Sequence, residues 1–208
     1  MKYDPRQIKI GPYTTSRLEI KDIIKSWIAI SIAVAIAGIV PSLALSFFEK
    51  LLFASITVGI AFIVHELAHK IAAQYYGCFA EFRSNDFMLF LAIIMSFTGF
   101  IFFAPGAVMI AGPVGRRRNG IISIAGPASN FALAIIFAIL LMYVKIPIIV
   151  SLFTFGYLIN AWIGLFNLIP FWLFDGKKIL HWNKAIYIGM VVLGLTLLFA
   201  QGLILGLS

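Results

Sequence analysis

Residues 51–76, LLFASITVGIAFIVHELAHKIAAQYY, form an apolar stretch that is long enough to cross a bilayer and contains His65-Glu66-Leu67-Ala68-His69. Residues four apart share one face of a helix, so both imidazoles can reach a single metal ion. Glu66 then lies beside that ion, placed to act on a water bound to it. Ionisable side chains within a membrane segment are costly and usually functional. The stretch therefore predicts a metal site of the metalloprotease type on a membrane helix.

The composition of the whole chain is that of an integral membrane protein. Of its 208 residues, 62% are hydrophobic and 12% are charged, and the mean hydropathy is +1.04. Besides residues 51–76, four uncharged runs reach the roughly 20 residues that a helix needs to span a bilayer. They are residues 26–48, 119–144, 146–168 and 185–208. The sequence predicts an all-α polytopic membrane protein with five transmembrane helices, or six if one further segment crosses.

That further segment, residues 87–103, is apolar but short. If it enters and returns on one side, 14 of the 16 lysines and arginines fall on the amino-terminal side, and only Lys50 and Lys145 fall opposite. The positive-inside rule makes the richer side cytoplasmic. A crossing would send the arginines of residues 116–118 to the far side and would separate Asp175 from the two histidines. The charges favour the re-entrant alternative over a sixth helix and place the amino terminus in the cytoplasm.

Turn residues interrupt the same region. Gly99, Pro105 and Gly106 break the apolar run, and residues 79–82 and 107–110 are short enough to be strands. Non-helical backbone at membrane depth persists only where protein or a wet cavity satisfies its hydrogen bonds. We therefore expect a small membrane-associated β element that shields an active-site cavity.

Several other classes of protein are disfavoured. The net charge of +8 does not predict nucleic-acid binding, because the basic residues are scattered among loops near the membrane. Cys78 is the only cysteine, so no intramolecular disulfide can form. The first 25 residues are polar and charged, which does not fit a cleavable signal peptide. We expect residues 1–208 to form one core domain in the cell membrane, with no appended soluble domain.

A hydrolytic zinc site usually has three protein ligands and keeps a fourth position for water, so the two histidines leave one ligand to find. Asp175 and His181 are the main candidates. Asp175 ends the apolar run 165–174, where an unpaired carboxylate would be costly. His181 follows two lysines, which is typical of a solvated interfacial histidine. The pattern favours Asp175 and leaves His181 as the alternative.

Two acidic residues closer to the motif, Glu81 and Asp86, are weaker ligand candidates. Each has a nearby charge, Arg83 or Lys70, that can account for it. A carboxylate with a cationic partner needs no metal to explain its position. We therefore expect both residues to form ion pairs.

Three motifs along the chain resemble those of the site-2 protease family of intramembrane zinc metalloproteases. They are His65-Glu66-Leu67-Ala68-His69, then Gly126-Pro127-Ala128-Ser129-Asn130, then Asn167-Leu168-Ile169-Pro170 followed by Asp175-Gly176. They fall in the family's order, and together they are far more specific than any one of them. The resemblance covers roughly residues 51–184.

The resemblance implies one zinc ion per chain, bound by His65, His69 and Asp175. It implies that Glu66 is the general base and that Asn167 helps to position the substrate backbone or its oxyanion. The substrates it implies are other membrane proteins, cut within or next to their transmembrane segments in regulated intramembrane proteolysis.

Two rival functions are weighed against the protease. A metal transporter or sensor would line a path with the two histidines, Asp175 and His181. Such proteins seldom need a glutamate beside the first histidine, and transporters often have paired repeats that this sequence lacks. An inactive scaffold would be expected to have lost Glu66 or a metal ligand, and neither is lost. The sequence favours the protease over the transporter, and the transporter over the scaffold.

Overall fold

The computed structural model of the chain describes residues 7–40, 45–100, 105–171, 174–200 and 202. These residues are mostly helical, with two small two-stranded sheets. The chain falls into two compact units: Met1–Val40 with Leu45–Pro113, and Pro41–Ala44 with Val114–Ser208. The expectation of a single core domain stays a prediction.

The first unit opens with a hairpin that the sequence analysis did not predict. Strand β1 (Gln7–Ile10) pairs with β2 (Tyr13–Ser16) across a two-residue turn, in which Gly11 adopts a φ of 58° that favours glycine. Helix α1 (Arg17–Ala37) follows directly, because the Ser16 hydroxyl accepts a hydrogen bond from the Glu19 amide and caps the helix.

The described residues do not show the predicted span 26–48 as one continuous helix, and residues 41–44 of that run lie outside them. Helix α1 ends at Ala37, because Gly38 adopts a left-handed φ of 69° that terminates the helix. The first nine residues of α1 include five charged side chains, so its apolar part covers only residues 26–37. That part is too short to cross a bilayer by itself.

The predicted span 51–76 is a helix that starts slightly earlier than expected. Helix α2 (Phe47–Ala54) continues through a π-helical turn at Ser55–Gly59 into α3 (Ile60–Tyr75). The Trp27 indole of α1 donates a hydrogen bond of 2.9 Å to the Ser55 carbonyl. A Cβ atom on Gly59 would lie 2.1 Å from the same indole ring, so the close approach requires glycine. π-helical turns occur often at functional sites, and this one directly precedes the histidine helix.

Both strands predicted around the re-entrant segment are confirmed. Strand β3 (Phe79–Ser84) pairs antiparallel with β4 (Gly106–Ala111), and α3 packs against both. Ser84 lies opposite Gly106, so the segment between them leaves and returns at the same end of the sheet. Its helix α4 (Asp86–Ser96) has 11 residues, or about 16 Å. A helix of that length is too short to cross the roughly 30 Å hydrocarbon layer by itself, and the re-entry of residues 87–103 stays a prediction.

The second unit consists of four helices. They are α5 (Arg116–Leu141), α6 (Pro147–Phe166), α7 (Asp175–Trp182) and α8 (Lys184–Phe199). Its core centres on Phe131, Tyr157, Leu168 and Ile179, with exposed fractions of 0 to 1%. Glycines 164 and 194 leave room for the Phe131 ring, which a Cβ on either residue would approach within 2.7 Å. A hydrogen bond of 3.0 Å from Asn130 to Asn160 joins α5 to α6 inside this apolar core.

Three helices among the described residues are long and apolar enough to cross a membrane: Phe47–Tyr75, Arg116–Leu141 and Pro147–Phe166. They correspond to three of the five predicted spans. Helix α8 is a shorter apolar helix of 16 residues, and most of the rest of the predicted run 185–208 lies outside the described residues.

Candidate metal centre

Helix α3 carries the two histidines and the glutamate of the predicted site. His65 and His69 are buried, with 4% and 8% of their surfaces exposed, and Glu66 is half-buried. The Nε2 atoms of the two imidazoles lie 3.1 Å apart. The helical spacing of four residues therefore brings two nitrogen ligands to one point, as the sequence predicted.

The separation of the two nitrogens fits a zinc ion. Two ligands at 2.0–2.1 Å from zinc, with a tetrahedral angle between them, are about 3.3 Å apart. The observed 3.1 Å lies within about 0.2 Å of that value. An N–H···N hydrogen bond between imidazoles has a similar length, so the assignment to zinc rests on the chemistry of the complete donor set.

Lys70 follows His69 directly, and its partner differs from the one expected. Its ammonium group forms a buried ion pair with Glu19 of α1, and not with Asp86. Asp86 instead accepts a hydrogen bond of 2.5 Å from Lys25, because α4 packs along α1. That bond lowers the pKa of the Asp86 carboxyl below its ordinary value and raises the pKa of Lys25.

The other expected ion pair is present. Arg83 pairs with Glu81 through one guanidinium nitrogen, and the Glu81 side chain is 2% exposed. Glu81 and Asp86, which are weaker ligand candidates than Asp175 by sequence, therefore both have cationic partners. Neither needs a metal ion to explain its position.

Asp175 is the first residue of α7 in the second unit and is 7% exposed. The Lys178 ammonium lies 3.5 Å from its carboxylate, and the lysine side chain is 44% exposed. His181, the alternative ligand, has an exposed side chain, and its backbone carbonyl accepts a hydrogen bond of 2.5 Å from Arg116. The exposure of His181 agrees with the interfacial role expected for it.

Asn167 is tied to the start of α7. Its backbone carbonyl accepts a hydrogen bond of 2.7 Å from the Gly176 amide, and its side-chain amide donates to the Ile163 carbonyl at 2.9 Å. A Cβ atom on Gly176 would lie 2.0 Å from the Leu168 carbonyl oxygen and 2.3 Å from its carbon. The backbone contact therefore requires glycine, and it fixes Asp175 relative to the end of α6.

The structure thus assembles two groups of predicted site residues, each inside one unit. His65, Glu66 and His69 lie together on α3, and Asn167 and Asp175 are joined through Gly176.

Sequence analysis missed the surroundings of Lys70. A lysine that directly follows the motif within an apolar helix signals that an acidic partner exists, because a buried charge needs one. Nothing in the local sequence identifies that partner as Glu19, which is 51 residues away.

One comparison with known proteins bears on this site. The chain is 40% identical over 144 residues to a protein of Methanocaldococcus jannaschii that carries the name "Putative zinc metalloprotease". The match covers 67% of this chain and 75% of that relative. No protein-family model matches the chain. No solved structure matches it either.

Proposed function

This chain belongs to a family of zinc metalloproteases, and we propose that it hydrolyses peptide bonds within or next to the transmembrane segments of other membrane proteins. The observation that carries the proposal is the position of His65, Glu66 and His69. They lie on Phe47–Tyr75, a helix of 29 residues that is long and apolar enough to cross a bilayer. A protease site on such a helix acts where membrane-embedded substrates are. We place the protein in the cell membrane, with the amino terminus in the cytoplasm, on the strength of its charge distribution.

The proposed zinc ligands are His65, His69 and Asp175, one ion per chain. All three are at least nine-tenths buried, and buried ionisable groups are paired or coordinate metals. Two imidazoles and a carboxylate form a donor set that zinc accepts in hydrolytic enzymes. When bound, zinc polarises the scissile carbonyl and lowers the pKa of its water toward about 7.

Glu66 is the proposed general base. Its half-buried carboxylate follows His65 directly, so it lies beside the metal ligands without being one of them. It accepts the proton of the attacking water and later delivers it to the leaving amine. The amide of Asn167 donates one N–H to Ile163, and its second N–H is available to a substrate carbonyl.

A substrate helix must unwind before it is cut, because its carbonyls are otherwise bonded within the helix. The outer edge of β3 is closed to such a segment. Phe82 donates its amide to Glu19 at 2.9 Å, and the Ala80 carbonyl accepts from Gln74 at 3.0 Å. Both groups face away from β4. Neighbouring residues of a strand direct their backbone groups to opposite sides, and Glu81, which lies between Ala80 and Phe82, is the residue that faces β4.

The same alternation identifies the open edge. Glu81 lies opposite Met109, and the backbone groups of these two residues point toward each other. The neighbours of Met109 on β4, Val108 and Ile110, therefore direct their backbone groups away from β3. An extended substrate segment can add to β4 as a third strand through these groups. We propose the outer edge of β4 as the surface that holds the unwound substrate.

Val108→Pro tests this edge. Proline removes the outward amide of Val108 and is tolerated on a sheet edge. We expect kcat/KM for a membrane substrate to fall about tenfold, as for one lost hydrogen bond and a blocked edge, with zinc content and Tm unchanged. Met109→Pro is the matched control, because it removes an amide that faces β3 and should lower Tm. Unchanged kcat/KM in Val108→Pro would exclude the β4 edge as the substrate surface.

The function itself is tested with the protein reconstituted in vesicles together with a panel of single-span membrane proteins. Spans that contain Gly, Pro or Asn are included, because they unwind most readily. We expect cuts in or next to the span, lost on chelation of zinc and restored by adding it back. Cuts confined to distant soluble loops would overturn the intramembrane part of the proposal. Zinc flux into the vesicles without any cleavage would favour the transporter.

A further inference from the structure

A buried carboxylate near the start of the chain holds three parts of the first unit together. Glu19, on the first turn of α1, is 0% exposed. It accepts hydrogen bonds from the Thr15 hydroxyl at 2.6 Å and the Phe82 amide at 2.9 Å, and it pairs with the Lys70 ammonium. One side chain thus connects the amino-terminal hairpin, strand β3 and the histidine helix α3.

A second side chain, that of Gln74, makes the same connections. It lies on α3, one turn beyond Lys70. Gln74 accepts from the Thr14 amide at 2.9 Å and donates to the Thr14 carbonyl at 2.9 Å. It also donates to the Ala80 carbonyl at 3.0 Å. Lys70 and Gln74 are four residues apart and lie on one face of the helix. Helix α3 is therefore attached to the hairpin and to β3 at two positions along its axis, one turn apart.

Two attachments on one face fix the rotation of a helix as well as its position along its axis. Lys70 is the neighbour of His69, so any rotation of α3 that displaces the Lys70 ammonium from Glu19 also turns the imidazoles of His65 and His69. Metal and catalytic groups need to be held within about 0.5 Å and 10–20° of their working geometry.

We propose that Glu19 and Lys70 are positioning residues for the metal centre: their buried ion pair sets the rotation of α3 and hence the directions of both histidine ligands. The proposal rests on the proposed function, since it requires zinc at those histidines. Glu19 also binds the Phe82 amide, so the same carboxylate fixes β3 relative to α3. A pair that only stabilised the fold would change the melting temperature and leave the metal geometry intact.

The test compares three variants of the full chain in detergent. Glu19→Gln leaves the Lys70 charge buried without its partner, which is strongly destabilising in proteins. The double variant Glu19→Gln with Lys70→Met removes both charges, so that no unpaired charge stays buried, and the glutamine oxygen can still accept from the Phe82 amide. Glu49→Gln is the matched control, because Glu49 is an exposed glutamate at the start of α2. Zinc affinity by chelator competition, the visible spectrum of the cobalt-substituted protein and Tm are measured for each.

We expect the double variant to unfold at a Tm close to wild type but to bind zinc about tenfold more weakly, with an altered cobalt spectrum. Glu49→Gln should match wild type in zinc affinity and cobalt spectrum, and any change should be confined to Tm, because the Glu49 carboxylate caps the start of α2 by accepting from the Ser46 amide and hydroxyl. Wild-type zinc affinity and spectrum in the double variant would overturn the proposal.

If the double variant does not fold, Glu19→Asp replaces it in the test. This variant keeps both charges but shortens the acidic side chain by one methylene. Weaker zinc binding in that variant supports positioning, and wild-type binding overturns it. An absence of zinc from the wild-type protein is a different result, because it would overturn the proposed function itself.

Discussion

Glu66→Gln should abolish peptide hydrolysis and leave zinc bound. Glutamine has the shape of glutamate but cannot accept the proton of the attacking water at neutral pH. General base catalysis is worth about a hundred- to ten-thousandfold in rate, so we expect the turnover to fall by at least a hundredfold. Zinc content should stay at the wild-type level, because the proposed ligands are His65, His69 and Asp175. Turnover of a membrane substrate and zinc per chain are measured on the same preparation.

Glu49→Gln provides the control for this prediction. It is the same substitution on the same continuous helix, Phe47–Tyr75, at an exposed position. It should reduce neither turnover nor zinc content. Retained turnover in Glu66→Gln would remove Glu66 from the mechanism, and loss of zinc would make it a ligand instead of a base.

The features that the sequence predicted well depend on local spacing. The placement of His65 and His69 on one helix face follows from a separation of four residues. The strands around residues 79–82 and 107–110 follow from short apolar runs between turn residues, and they pair as a hairpin does around the inserted α4. The re-entry of residues 87–103 rests on a different argument, the distribution of lysines and arginines along the whole chain, and it stays a prediction.

The features that the sequence missed depend on contacts distant along the chain or on single turn residues. Lys70 was matched with Asp86, yet it pairs with Glu19, because the packing of α1 against α3 and β3 decides which carboxylate reaches it. The run 26–48 was predicted as one span because its composition is apolar throughout. Its break at Gly38 depends on one residue in a left-handed conformation, which hydropathy does not register.

Asp175→Ala should remove most of the zinc from the purified protein, while His181→Ala should keep it. Losing one of three protein ligands leaves two imidazoles, which hold zinc far more weakly than a complete site. The exposed His181 side chain makes no contribution to the proposed donor set. Elemental analysis after a chelator-free preparation should give about one zinc per chain in wild type and His181→Ala, and markedly less in Asp175→Ala.

A neighbouring backbone contact gives an independent test of the same ligand, because it moves Asp175 without replacing it. An alanine at Gly176 would bring its Cβ within 2.0 Å of the Leu168 carbonyl, so α7 must shift and carry the carboxylate with it. Gly176→Ala should therefore lose zinc like Asp175→Ala. Gly189→Ala, on α8 with no atom within 4 Å of the new Cβ, should keep zinc. Full zinc in Asp175→Ala together with its loss in His181→Ala would assign the third ligand to His181.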